Sequence, residues 1–327
     1  MSSSSGPDRE RGEPSLDLEE VEEAEAILAE QPPQAEAALG EETTAKKSGW
    51  VTAAWALPGG VWLGFFLIAP LIFIVLVSFW TYEQGAKSGF QIDWTLQNYS
   101  SIIHDTVYWD NMLTSFWTSL IAVAACLLLG FPVAYFLALK VQSLKWQIAL
   151  FIVALAPFWT SFLTRSIAWT YPLMGREGAL NRIIPGSPIE SLGCSTLSVR
   201  LAMIQLYILF MITPLFFTLS QVDRAALEAA RDLGGSWWKT FREVIVPQAA
   251  PGAVIGSIFV FVLTMGDYST VRVIGCNKIA SVGTIVNSNI ELAVNYPRGA
   301  ASAVLLVLAL IAGVFIITRF SNLREEL

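Results

Sequence analysis

Charged residues and histidine are scarce in this sequence. Only 14% of its 327 residues are charged and 54% are hydrophobic, whereas a soluble globular protein has about a quarter charged residues. This composition excludes an ordinary soluble domain. The one histidine, His104, excludes a histidine-rich metal centre, and its polar surroundings are typical of a solvated loop. The shortages predict a polytopic membrane protein without a metal site and without a nucleic-acid partner.

Sequence motifs for phosphate chemistry are also missing. No stretch fits G-x-x-x-x-G-K-[ST], whose loop holds the phosphates of ATP, and none fits the zinc motif H-E-x-x-H. ATP hydrolysis therefore cannot be assigned to this chain, and we expect it to bind no cofactor. The apolar runs contain no His, Asp and Ser constellation, which argues against an integral membrane enzyme. A channel or a scaffold stays open at this point.

Acidic residues concentrate in residues 1–49, where thirteen of them accompany four basic ones. This segment has no aromatic residue and cannot bury enough apolar surface to offset the entropy of ordering. We expect a disordered, cytoplasmic tail ahead of a membrane domain at 50–327. The tail either only solvates the chain or contacts a regulator or ATPase, and the sequence leaves both open.

Six apolar runs approach or exceed the roughly 20 residues that cross a bilayer as a helix. They cover residues 57–80, 115–139, 146–171, 198–219, 252–270 and 299–318. The sequence thus predicts an all-α fold of six transmembrane helices with both termini on one side. A small excess of Lys and Arg indicates that this side is the cytoplasm.

Residues 228–247 form a charged, helix-forming interruption between two apolar runs. The helix breaks at Gly234-Gly235, amphipathic sequence with large aromatic residues resumes at Trp237, and Pro247 is expected to close it. A helix that projects from a membrane must bury its apolar stripe against something. Docking to another protein is one interpretation, and lying on the lipid surface is the other.

The same residues resemble the cytoplasmic EAA loop of ABC importer permeases. Five positions carry the pattern, and Val244 and Val246 replace its Ile and Leu; the five are Glu228, Ala229, Ala230, Gly234 and Pro247. Further segments resemble the spermidine/putrescine branch of type I importers, namely 98–99, 130–135, 156–165, 175–178 and 266–268.

This resemblance implies the transmembrane subunit of an importer in a bacterial inner membrane. A cytoplasmic ATPase dimer that binds ATP and Mg²⁺ would dock on the coupling loop at 221–251. A second permease subunit would complete the path, and a periplasmic binding protein would deliver the solute. The implied solute is a polyamine, with an opine, an amino-acid derivative, thiamine or iron as alternatives.

Asp267 is the strongest candidate for contact with the solute, because an ionisable residue within a span is costly and often functional. A carboxylate beside Tyr268 suits an amine cation. The alternative is a structural ion pair with Arg165 or Arg272. Glu177 and Glu291 are weaker acidic candidates. Aromatic residues including Trp159 could line the path, or they could belong to the belt at the membrane interface.

Three cysteines are present. Cys126 falls in an apolar run and is expected to pack there. Cys194 and Cys276 fall in loops predicted to face the periplasm, an oxidising compartment in which they could pair. The sequence alone does not decide between a bridge and two free thiols.

Overall fold

The computed structural model describes residues 55–83, 90–173, 194–223 and 235–320, together with Ala225, Leu227, Ala230 and Asp232. The predicted tail at 1–49 lies outside these residues, as do four predicted site residues: Glu177, Glu228, Ala229 and Gly234. The chain divides into two compact units, one ending at Pro70 and one beginning at Leu71. The described candidate residues all lie in the second unit.

The described residues are mostly helical. The first half contains α1 (Trp55–Val77), β1 (Thr81–Tyr82), β2 (Phe90–Gln91), α2 (Gln97–Ile103), α3 (Thr106–Lys140), α4 (Leu144–Trp159) and α5 (Phe162–Leu173). The second half contains α6 (Thr196–Ser220), α7 (Trp237–Gly266), α8 (Ser269–Ile274), α9 (Val282–Glu291) and α10 (Tyr296–Phe320). The two-residue strands pair antiparallel and leave the predicted helical class unchanged.

Five of the six predicted spans are present as single helices that are long and apolar enough to cross a membrane. The sixth predicted span is the helix pair α4 and α5, bent by 84°, which makes six spans if the pair is counted as one. The bend follows a 3₁₀ turn, Ala156–Trp159, that contains Pro157, and Thr160 then adopts an extended backbone. Since proline lacks an N–H donor, one bond of the regular ladder is missing at this turn.

The helix boundary expected at Pro247 is wrong. Helix α7 runs from Trp237 through Pro247 to Gly266 without a break, so the amphipathic segment and the fifth span are one helix. A π-helical turn, Phe241–Ile245, directly precedes the proline's turn. Its wider hydrogen-bonding pattern accompanies the missing N–H without ending the helix.

Helix α6 lies at the centre of the unit that begins at Leu71. Half of its most apolar window is buried, more than in any other described span, and it packs against α3 and α7. Close contact with α7 depends on Gly252, where an added Cβ would lie 2.6 Å from the carbonyl oxygen of Pro214. Small residues of this kind let membrane helices approach each other.

The loops meet at two opposite ends of the bundle. At the first, which we call the disulfide end, Cys194 before α6 is bonded to Cys276 after α8, with Cα atoms 5.3 Å apart. Asp105 before α3 also pairs with Arg298 in α10 at 2.7 Å. At the opposite, platform end, Phe241 of α7 contacts Phe131 of α3. The sequence left open whether Cys194 and Cys276 pair, and the described structure contains their disulfide.

Candidate functional site

Asp267 lies directly after the last turn of α7 at the disulfide end. Its backbone is extended and only 7% of the residue is exposed. The hydroxyl of Tyr207 donates to Oδ2 at 2.8 Å, and the backbone N–H of Thr270 donates to Oδ1 at 2.9 Å. Each carboxylate oxygen thus accepts one hydrogen bond, and the second bond satisfies a backbone N–H in the first turn of α8.

Neither expected arginine pairs with Asp267 in the described structure. Arg272 instead donates to Glu291 at 2.9 Å. The guanidinium carbon of Arg165 lies 5.4 Å from the ring centre of Phe158, and its Nε and Nη1 are buried without a hydrogen-bond partner. Asp267 thus has structural partners, but they are the hydrogen-bond donors Tyr207 and Thr270 and not an arginine.

The aromatic candidates lie in different surroundings. Trp159 is 80% exposed at the bend between α4 and α5. Tyr268 is 41% exposed and borders a cavity of about 420 Å³ with a mixed polar and apolar lining. Tyr268 and the weaker candidate Glu291 are thus sequence-predicted residues that the structure places at this cavity.

This cavity, which we call the amide cavity, lies between the segment 268–280 and α9. Charged, amide, hydroxyl and apolar side chains line it, including Arg272, Asn277, Ile279, Ser288 and Glu291. The sequence alone makes Glu291 a weak candidate and does not join it to Arg272, nineteen positions earlier. The spacing of Asn287 and Glu291, four residues apart on a helix, is a usable signal, because such residues share a face.

Glu291 accepts two hydrogen bonds at the rim of the amide cavity. The amide of Asn287 donates to Oε2 at 2.9 Å, and Nη1 of Arg272 donates to the same oxygen at 2.9 Å. These two bonds, that of Asn287 first, hold the pKa of Glu291 below its usual value. Glu291 is accordingly an anion at neutral pH.

The wall of the amide cavity has an unusual backbone. Cys276 and Asn277 both have positive φ, 54° and 56°, a conformation that non-glycine residues seldom adopt. The disulfide to Cys194 ties this turn to the start of α6. Such conformations persist only where the surrounding structure holds them, so the turn is a fixed wall.

Three aromatic residues form an exposed surface at the platform end. Trp237 and Trp238 are 59% and 61% exposed, and both rings stack on Phe241 with centroids 5.3 and 5.6 Å away. Phe241 in turn contacts Phe131 edge-to-face at 5.7 Å. We call Trp237, Trp238 and Phe241 the aromatic platform, and it is connected directly to the core.

The described part of the EAA-like segment has the expected helix, break and helix. Ala225, Leu227, Ala230 and Asp232 are helical, and the N–H of Gly235 closes this piece on the carbonyl of Ala230 at 3.0 Å. A Cβ on Gly235 would collide with that carbonyl. Ser236 then caps Trp237–Thr240 by accepting from Lys239.

Comparisons with known proteins agree with this geometry. Residues 130–325 match the family described as "Binding-protein-dependent transport system inner membrane component". The chain is 32% identical to the spermidine/putrescine transport system permease protein PotB of Haemophilus influenzae over 81% of this chain and 92% of that protein. It is 30% identical to PotB of Escherichia coli strain K12, again over 81% of this chain and over 96% of that protein.

Solved structures show the same fold at lower sequence identity. The crystal structure of a bacterial ABC transporter that imports the acidic polysaccharide alginate matches with a TM-score of 0.59 and 15% identity. The match covers 88% of this chain and 100% of that one. The alginate transporter in complex with its periplasmic protein matches with the same TM-score and 16% identity.

Proposed function

Because this chain belongs to the family of binding-protein-dependent transport system inner membrane components, we propose that its solute is a polyamine of the spermidine and putrescine type. The chain is a permease subunit of an ABC importer and a multi-pass protein of the inner membrane. One observation carries the solute class, namely identity of 32% across 92% of a spermidine/putrescine permease. The alginate transporters support the fold alone, since they are only 15% and 16% identical.

The aromatic platform is the surface on which ATP-binding subunits would dock. Exposed tryptophans that are held by stacking are frequent binding hot spots. Phe241 links the platform to Phe131 in α3, so movement of a docked subunit would reach the spans directly. On this account the termini are cytoplasmic, and ATP and Mg²⁺ bind the partner ATPase dimer. A second permease subunit and a periplasmic binding protein complete the importer.

Asp267 supports the path without contacting the solute in this proposal. Its carboxylate is buried, and both oxygens accept hydrogen bonds from Tyr207 and Thr270. A buried carboxylate that already accepts two hydrogen bonds is poorly accessible to an ammonium group. Its contribution is to join the end of α7 to α6 and to the start of α8.

The test is uptake into vesicles that contain this chain, its second permease and its ATPase, with binding protein outside. We expect ATP-dependent uptake of labelled spermidine or putrescine that excess unlabelled polyamine suppresses. Excess opines, amino acids, thiamine or ferric iron should leave uptake unchanged. Suppression by one of these and not by polyamines would overturn the solute class. Uptake that proceeds without ATP would indicate a channel instead.

A further inference from the structure

We propose that the amide cavity binds an ammonium group of the solute at Glu291, and that Arg272 occupies this acceptor when no solute is present. The inference rests on the polyamine function proposed above and assigns that solute a site. Arg272 would be an internal competitor, since its guanidinium takes the position that an amine would take. Solute binding would exchange one cation for another on the same carboxylate.

The contacts of Glu291 leave room for this exchange. Both hydrogen bonds that it accepts, from Arg272 and Asn287, end at Oε2. No described residue donates to Oε1. The side chains of Arg272 and Glu291 are 48% and 50% exposed. Exposed ion pairs of this kind are weak, so a solvated ammonium can compete for the carboxylate.

The rest of the amide cavity suits a chain of methylenes between amines. Its volume of about 420 Å³ lies in the range typical of small-molecule sites. Ile279, Ile285 and Leu292 offer apolar surface to the methylenes. The ring of Tyr268 can contact a cation through its face, and the amide oxygen of Asn277 is an acceptor for a further ammonium group.

The location of the amide cavity is suited to receiving solute. Tyr268 lies two residues after Gly266, the last residue of α7, so the cavity is at the disulfide end of this span. The wall at Cys276 and Asn277 has a left-handed backbone, and the disulfide holds it to the start of α6. A wall that is fixed before binding loses little freedom when the solute arrives.

The test uses two substitutions with opposite expected effects. Labelled spermidine is dialysed to equilibrium against the purified permease–ATPase complex in nanodiscs, without binding protein. Glu291→Gln should raise the dissociation constant about tenfold, since it removes the charge that the ammonium contacts. Arg272→Gln should lower it about threefold, since it removes a weak competitor. Glu291→Asp, which keeps the charge on a shorter side chain, should lie between the wild type and Glu291→Gln.

The matched control is a second ion pair among the described residues of the disulfide end. Arg298 and Asp105 lie 2.7 Å apart, and neither lines the amide cavity. Arg298→Gln and Asp105→Asn should therefore leave spermidine binding unchanged in complexes that assemble normally. If the pair of Arg272 and Glu291 were purely structural, Arg272→Gln and Glu291→Gln would shift the dissociation constant in the same direction.

The outcomes separate this inference from the proposed function. Opposite shifts in the dissociation constant support the site, and shifts of the same sign or no shift overturn it. Absence of spermidine binding to a wild-type complex that imports spermidine overturns the site alone. Absence of ATP-driven polyamine uptake by the wild type overturns the proposed function, and with it the ammonium ligand.

Discussion

The side chains at the disulfide end and at the platform end of this bundle differ in what they contact. At the disulfide end, covalent, ionic and hydrogen-bonded contacts join the loops to one another, as between Cys194 and Cys276 or Asp105 and Arg298. At the platform end, two tryptophans expose more than half of their surface. At the first end these contacts give polar and charged groups partners within the chain, whereas the second end presents two exposed tryptophans stacked on Phe241.

Two residues show how polar groups at the disulfide end find hydrogen-bond partners within the chain. Asn98 donates to the carbonyls of Ser78 and Trp80 at 3.0 and 2.8 Å, which satisfies the end of α1. The hydroxyl of Tyr108 in α3 donates to the carbonyl of Ser302 in α10. Polar groups near a bilayer that lack partners are costly, so a loop that must stay folded satisfies them internally.

The largest expected effect comes from removing the platform. Trp237→Ala with Trp238→Ala should abolish co-purification of the ATPase subunits, because truncating a hot-spot tryptophan costs about 2 kcal/mol or more. Pull-down from detergent extracts measures this loss. Trp94→Ala, which removes a tryptophan 69% exposed outside the platform, is the control and should leave association intact. Equal loss of the ATPase subunits from both variants would show that the platform is not part of the docking surface.

Opening the disulfide should have the next largest effect, on stability. Cys194 and Cys276 are separated by 82 positions, and bridges of this kind typically add about 2–4 kcal/mol. Reductant should therefore lower the unfolding temperature of the wild type in detergent. The variant with Cys194→Ser and Cys276→Ser should begin at the lower temperature and not respond to reductant. A wild type that is insensitive to full reduction would contradict a stabilising bridge.

Breaking the Tyr207–Asp267 contact tests the structural role of the buried carboxylate. Tyr207→Phe leaves Oδ2 without its donor, at a cost of about 1–3 kcal/mol in the free energy of unfolding. Uptake per folded molecule should remain near that of the wild type. Tyr99→Phe, which removes a hydroxyl bonded to Ser78 at 2.7 Å, is the matched control at the same end. Unchanged stability with lost uptake would place Asp267 in the solute path.

The smallest expected effect is the pH dependence of the exposed pair at Glu291. The folded state lowers the pKa of this carboxyl, so its contribution to stability is present above the pKa of the unfolded chain. That contribution is lost as the pH falls through the lowered folded value. The difference in unfolding temperature between wild type and Glu291→Gln should accordingly shrink below about pH 4. A difference that grows on acidification would contradict the shift.

Much of the fold was predictable because apolar length and local chemistry decide it. Runs of about 20 apolar residues can cross a bilayer only as helices here, and five of the six predicted runs do so as single helices. The helix break before Gly235 was predictable as well. Its reason is local, since a side chain there would collide with the carbonyl of Ala230.

The remaining features depend on contacts between distant positions. The sequence does not reveal the bend after Trp159, because proline is also common in unbroken membrane helices. Pro157 lies at a bend, whereas Pro247 lies within the continuous helix α7. The donor to Asp267 comes from Tyr207, sixty positions earlier, and any of several hydroxyls or cations could have met it. Glu291 was a weak candidate in the sequence, and its pairing with Arg272 became visible only in the fold.

The measurement that tests the account most directly is accumulation of labelled spermidine against its gradient in ATP-loaded vesicles. Vesicles with the wild-type complex should concentrate spermidine above the external level when binding protein is present. Vesicles with Trp237→Ala and Trp238→Ala should only equilibrate it or take up none, at equal insertion of the chain. A wild type that fails to concentrate spermidine, or a double variant that matches it, would contradict the account.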